Sequence, residues 1–364
     1  MIAEESPAAA LATVPVCEFR TTAGVIALVN LRAQIEGLQR RGQLGLLSML
    51  EHAELIDLVA QRGHILGRIA DYEWAGQQAE RLVEKLPKEG VAYLARAKAR
   101  SRFHRFSDAV ADLDRAEQLG ADSEAVNSER GGILQAIGDY KGALSLFQQA
   151  ADCQTNFASL VALATFHSDL RETEPAERLF DMARNAYCGV SPIPLALLDF
   201  QRGHMWMGID DLERARHWFG SAVRLLPDFA PAQGHLAEVE AEFGETECAV
   251  NRLQPLTKTS DDPDYCAELS RILREAGRVE EADDLRAQAV ARYDELILLH
   301  PAAFADHAAA FWLEIANDPQ RALPLAKLNL DIRQTPRAQE LFDHALQACE
   351  RSQAPGRNAV ERLG

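Results

Sequence analysis

Small and apolar residues recur along the chain in one fixed skeleton. In GDYKGALSLFQQA, Gly138 to Ala150, an acidic turn precedes Ala143, Phe147 and Ala150. In DDLERARHWFGSA, Asp210 to Ala222, the same offsets give Ala215, Phe219 and Ala222. Ala109, Leu113 and Ala116 repeat the skeleton, as do Ala176, Phe180 and Ala183, and Ala249, Leu253 and Leu256. Offsets of four and seven put three side chains on one face of a helix. Upstream of the skeleton sits a second apolar helix, marked by Gly63 and Leu66, Gly131 and Leu134, and Gly203 and Trp206. Its small residue lets two helices approach, and the large residue three places later fills the gap between them.

The period is close to 34. Ala75, Ala109 and Ala143 are 34 residues apart, as are Ala215 and Ala249. Ala282 to Ala322 is 40, which predicts a longer helix at AVARYDELILLHP. Paired helices at a fixed period form a repeat array, in which stacking buries what one unit cannot bury alone. Pro87 and Pro227 close their repeats.

This order of small, large, Ala, aromatic and Pro resembles the tetratricopeptide repeat from about Ile56 to Gln334. The resemblance implies an all-α, right-handed superhelical solenoid of antiparallel helix pairs, about eight repeats plus a capping helix. Residues 1–27 are then an N-terminal tail, and 28–55 a degenerate first pair with Leu31, Ile35, Leu38, Leu44, Leu47 and Leu50 as its stripe. The array spans 56–334, a capping helix 335–350 and a C-terminal tail 351–364. Several positions depart from the pattern. Arg62, Arg96, Arg130 and Arg202 stand where a large apolar residue is expected, and Arg286 replaces an aromatic. Pro324 falls inside a second helix and should kink or restart it.

The stretch GHMWMGIDDLERARHWFGSAVRLLP concentrates chemistry-bearing side chains. The repeat assigns Trp206 and Phe219 to packing. Phe200, His204 and Met207 share a different stripe, at i, i+4 and i+7. The resemblance implies that this stripe lines a concave groove. Matching positions are Leu94 and Lys98, with Arg102 one turn on, then Ser128 and Gln135, then Val161, Thr165 and Ser168. Glu238 follows, and Phe304, His307 and Phe311 stand near the C-terminus. Small residues with a few apolar anchors suit an extended peptide or a partner helix. The alternative for Phe304 and Phe311 is packing on the C-terminal cap. Some members of the family grip a peptide carboxylate with Lys, Asn and Arg on successive repeats. Here only Lys98 matches, beside Gly132 and Thr165.

His204 and Met207 make an incomplete metal site, because His217 and His235 are expected on other faces. No metal or cofactor is expected. RAKARSRFHR, Arg96 to Arg105, reads as a solvated helix paired with Asp108, Asp112 and Asp114, and DDPD, Asp261 to Asp264, as a loop with helix-capping residues.

Composition narrows the partner. Apolar residues are 47% of 364, so a packed core is available, and the net charge is −17. A strongly acidic chain lacks the positive field that phosphate contacts need, so no nucleic acid is expected. No long uncharged apolar run occurs, so no membrane span is expected. Six widely spaced cysteines, with no CxxC pair, read as free thiols, and the location expected is cytoplasmic. No GxGxxG, P-loop, HExxH or GxSxG is present, and an enzyme is not expected. The expected function is a protein–protein interaction scaffold or adaptor that binds a peptide or partner helix. The alternatives are a non-catalytic subunit of an enzyme or biosynthetic complex, and a peptide-responsive regulator.

Overall fold

The computed structural model describes residues 21–353. The expected tail residues 1–20 and 354–364 lie outside that span. Among the described residues there are eighteen α-helices and one π-helical turn, and no strand. Helix α1 (Gly24–Gln43) leads into eight pairs. The first four are α2 (Met49–Leu66) with α3 (Ile69–Lys85), α4 (Gly90–Arg102) with α5 (Phe106–Gln118), α6 (Ser123–Ile137) with α7 (Tyr140–Cys153), and α8 (Phe157–Asp169) with α9 (Thr173–Ala186). The next are α10 (Ile193–Met207) with α11 (Leu212–Leu225), α12 (Ala230–Glu242) with α13 (Thr246–Thr259), and α14 (Asp264–Glu275) with α15 (Val279–Leu299). In the last pair α16 (Pro301–Ala310) runs into the π turn Phe311–Ile315 and packs on α17 (Pro319–Ile332), which α18 (Pro336–Gln353) covers.

The skeleton is the core. Ala109, Ala143, Ala176, Ala215, Ala249, Ala282 and Ala322 have no solvent exposure. Gly203 shows why the preceding helix needs a small residue. A Cβ there would lie 2.6 Å from the ring of Phe219, so the backbone itself forms the wall of the aromatic's socket. Gly131 stands in the same relation to Phe147. A fully buried Phe stabilises by about 1.5–3 kcal/mol through removal of apolar surface from water. The late 40-residue step is the 21-residue α15, and α17 runs on through Pro324.

The four arginine departures have a common cause. Each reaches a carboxylate on a neighbouring second helix: Arg62 to Asp71 at 2.8 Å, Arg96 to Asp112 at 2.7 Å and Glu80 at 2.9 Å, Arg130 to Asp114 at 2.8 Å, and Arg202 to Asp181 at 2.8 Å. The guanidinium head hydrogen-bonds while its stem packs, so one long side chain replaces an apolar one.

The superhelix is wound tightly enough that its second turn sits on its first. The corner between α2 and α3 meets the loop before α14: the Asp261 carboxylate accepts from the amides of Ile69 at 2.6 Å and Ala70 at 3.0 Å, and Ser260 donates to the Gly67 carbonyl. One repeat on, the α4–α5 corner meets the loop before α16. Phe103 stacks on His300 at 4.2 Å, and His104 lies 3.1 Å from the Ala302 carbonyl. One repeat further, the α6–α7 corner meets the loop before α18, where the Gln334 amide donates to the Ile137 carbonyl at 3.2 Å. The start of α1 takes the preceding place in this register. A Cβ on Gly24 would lie 2.3 Å from the Leu225 carbonyl oxygen, in the loop before α12. The paired positions are 191 to 198 residues apart at the first two corners, or about six repeats.

Candidate functional site

Stacking of turns divides the concave face into an open part and a filled part. The open part is a groove of about 800 Å³ in the N-terminal half. One wall is α2, with Leu50, Ala53, Glu54, Asp57, Leu58, Gln61 and His64. The other is α4, with Val91, Leu94, Ala95, Lys98, Ser101 and Arg102; Glu129 of α6 and Leu197 of α10 complete the lining. The expected residues Leu94, Lys98 and Arg102 therefore meet in one groove. Leu94 is buried in its floor. The Lys98 ammonium is 2.7 Å from Asp57, and Arg102 lies over the Tyr72 ring at 5.4 Å from its centre. The rest of the basic run is paired as well. Arg96 and Arg100 share Asp112 and Glu80, Arg105 bonds Asp108 at 2.7 Å, and Asp114 goes to Arg130 instead.

The α2 wall was missed by the sequence reading, yet it carried a signal. His64 follows Gly63 as His204 follows Gly203, so the groove offset applied to the first pair selects it.

The filled part corrects several expectations. Phe200 is not presented to a ligand. It is buried against Phe219, Phe229 and His235, at ring separations of 5.8, 5.0 and 5.8 Å. These partners come from its own and the next repeat, and His64 of α2 comes across to Phe229 at 5.5 Å. Met207 and Val161 pack against the same cluster. His235 does not fall on another face, because its ring meets that of His204 at 4.3 Å. Burial first, and His235 second, hold the His204 imidazole well below its ordinary value. His235 is shifted upward: burial opposes its charge, but Glu238, 2.9 Å from Nδ1, outweighs that. Glu238 is thus engaged within its own helix.

Gln135 donates to Asp169 at 2.6 Å, and the Thr165 hydroxyl lies 3.0 Å from the carbonyls of Val161 and Ala162. Ser128 is exposed and Ser168 half-buried on their helices, and neither lines the groove.

His307 lies further along the channel. Its Nδ1 is 2.7 Å from Asp264, which also accepts from the Tyr293 hydroxyl. Asp264, then Asp306, raise His307 to about 10, although the half-exposed ring leaves water to screen part of that pull. Burial and the neighbouring Asp264 push Asp262 up to about 7. Phe304 is half-buried. Phe311 is core, stacked on Tyr293 at 4.8 Å, among residues of α14, α15, α17 and α18. Phe311 thus takes the alternative place, in a cluster that includes Ala345 of the cap helix α18, at the point where the helix passes into the π turn. Among the described residues no group of three or more His, Cys, Asp or Glu is arranged to hold a metal ion. The five described cysteines are free, and no helix there is long and apolar enough to cross a membrane.

No protein-family model and no curated protein sequence matches the chain. Solved structures do. A monomeric mutant of IFIT1 with Gppp-AAAA is similar at a TM-score of 0.55 and 16% identity, over 89% of this chain and 78% of that one. The human IFIT1 dimer with m7Gppp-AAAA gives 0.54 and 17%, over 86% and 76%. The APC/C hetero-tetramer Cut9–Hcn1 gives 0.50 and 15%, over 88% of this chain but 62% of the matched chain, so this chain spans under two thirds of that relative. Together with the 34-residue skeleton, these establish an all-α solenoid of the tetratricopeptide-repeat type. The IFIT1 complexes hold an oligonucleotide on such a fold. Net acidity alone therefore does not exclude nucleic acid.

Proposed function

We propose that this chain is a non-catalytic interaction scaffold that holds a segment of another protein in the open N-terminal part of its concave face. The observation that carries this reading is the groove between α2 and α4, with its apolar floor and polar rim. The expected contacts Leu94, Lys98 and Arg102 belong to it, whereas Phe200, His204 and Phe311 act in folding. Burial first, and Arg102 second, take His64 down to about 4, so at neutral pH it is an uncharged ring against Phe229.

The test is affinity capture from the native host with wild type and with Leu50→Ser, a change at a side chain that is 62% exposed and leaves the core intact. A partner retained by wild type and lost by the variant, at equal helicity, supports the groove. A partner retained by both moves the interface elsewhere.

A second reading has its own observation. Val25, Ile26 and Val29 on the outer side of α1 are 57, 53 and 55% exposed, an apolar strip at one end of the array. Such a strip suits a subunit held through its terminus. Replacing all three with Ser, and losing a partner that Leu50→Ser retains, would favour it.

A further inference from the structure

The groove's charges are unevenly engaged, and the imbalance identifies the chemistry of its occupant. The inference rests on the groove being the docking site. Of its two cations, Lys98 is ion-paired to Asp57, whereas Arg102 lies over the uncharged Tyr72 ring and among the described residues has no carboxylate partner. Its histidine is neutral at physiological pH. Glu54 and Glu129 also line it, and among the described residues neither has a hydrogen bond or ion pair. Counted by ion pairs, the groove's unanswered charges are the two carboxylates Glu54 and Glu129 against the one cation Arg102, so negative charge is in excess, within a chain of net charge −17. Between them lies apolar surface from Leu50, Leu58, Val91 and Leu94.

We infer that the groove takes a basic amphipathic segment of a partner protein, with an apolar stripe against Leu50, Leu58, Val91 and Leu94 and Lys or Arg opposite Glu54 and Glu129. From Glu54 to His64 the α2 wall rises about 15 Å, the length of about ten helical residues. Apolar side chains at i, i+3, i+4 and i+7 would face the floor, and flanking cations would reach the rim. An oligonucleotide fits less well, because its phosphates would face Glu54, Asp57 and Glu129.

The test is fluorescence anisotropy with a labelled amphipathic Leu/Lys peptide, a Leu/Glu peptide of the same apolar pattern, and a short oligoadenylate. Four proteins are compared: wild type, E54K/E129K, L50S, and E84K/E350K. The last makes the same change in net charge at exposed helix positions outside the groove. The expected result is binding of the Leu/Lys peptide alone. It should weaken about tenfold in E54K/E129K, severalfold in L50S, and less than about twofold in E84K/E350K. Equal weakening in both double variants would mean attraction by the whole molecule and would overturn the inference. Preference for the Leu/Glu peptide with sensitivity to L50S would keep the groove as the docking site and overturn its chemistry. Oligoadenylate binding that E54K/E129K strengthens would replace the protein partner with a nucleic acid. Binding of no probe to wild type would overturn the inference, while the capture experiment above would still decide the groove.

Discussion

The interior of each helix pair and the seam between superhelical turns differ in the contacts that predominate. Inside a pair these are Ala, Gly and aromatic rings, at positions set by a 34-residue pattern, with an ion pair such as Arg62–Asp71 at the edge. At the seam they are hydrogen bonds of carboxylates, hydroxyls and backbone amides about six repeats apart, beside the Phe103–His300 stack. The first kind of contact is non-directional and gains from every apolar atom buried. The second is directional, and each bond exchanges one made with water, so its net worth is small. The pairs therefore hold the fold, and the seam sets how tightly it winds, which in turn decides which part of the concave face stays open.

The comparison can be broken most strongly from the inside. Phe219→Ala should cost about 3–5 kcal/mol, since it empties a fully buried socket that Gly203 cannot close. Thermal or urea unfolding followed by circular dichroism would show it, and a loss near that of a surface change would contradict the packing scheme.

Acid should come next. His64 and His204 are held below an ordinary histidine, His64 down to about 4. The unfolded chain then binds these protons more tightly than the folded one. The contribution of these two histidines to stability should be complete above about pH 6.5 and be lost progressively as pH falls toward about 4, whereas His307, raised to about 10, contributes with the opposite sign. His64→Leu should flatten that part of the melting-temperature profile, and an unchanged slope would remove His64 from the account.

At the seam the effects are smaller. Asp261→Ala removes a helix cap and should cost about 1 kcal/mol. Gly24→Ala separates the two regions by sign. At a helical site with room to spare, Gly→Ala commonly stabilises by about 0.4–1 kcal/mol. Here the added Cβ would meet the Leu225 carbonyl, so a net loss is expected. A gain would mean that the first turn does not rest on the second. The smallest effect belongs to Arg171 and Glu340, both more than 60% exposed at the far end of the seam. Arg171→Ala should change the unfolding free energy by less than about 1 kcal/mol.

What the sequence made legible follows the same division. The skeleton residues each serve a contact inside one unit or with the next, so their spacing repeats and can be read. The four arginines broke that spacing visibly, but their carboxylate partners lie on neighbouring helices at varied offsets, so the departures were visible and their purpose was not. The seam leaves no periodic trace. Asp261 to Asp264 has the composition of an ordinary helix-capping loop, and Asp262 does cap locally, accepting from the Asp264 amide at 3.0 Å. Asp261 caps α3 instead, 192 residues away. The groove was read half correctly for the same reason. Lys98 and Arg102 follow from their own repeat, but Phe200 is buried against Phe219 and against Phe229 and His235 of the next repeat, contacts that a stripe within one helix does not reveal. Phe311 is taken up by packing toward the cap helix α18, the alternative that its spacing alone left open.

The stacking of turns is the central claim, and amide hydrogen exchange at Ile69 and Ala70 tests it most directly. These are the first two residues of α3, whose amides have no partner within their own helix, and the capping position Arg68 supplies no side-chain bond. Their protection can come only from Asp261, across the seam. Slow exchange in the wild-type protein, and rapid exchange in Asp261→Ala with the remainder of α3 still protected, is the predicted result. Rapid exchange at both amides in the wild type would contradict it, and with it the closure that separates the open groove from the filled one.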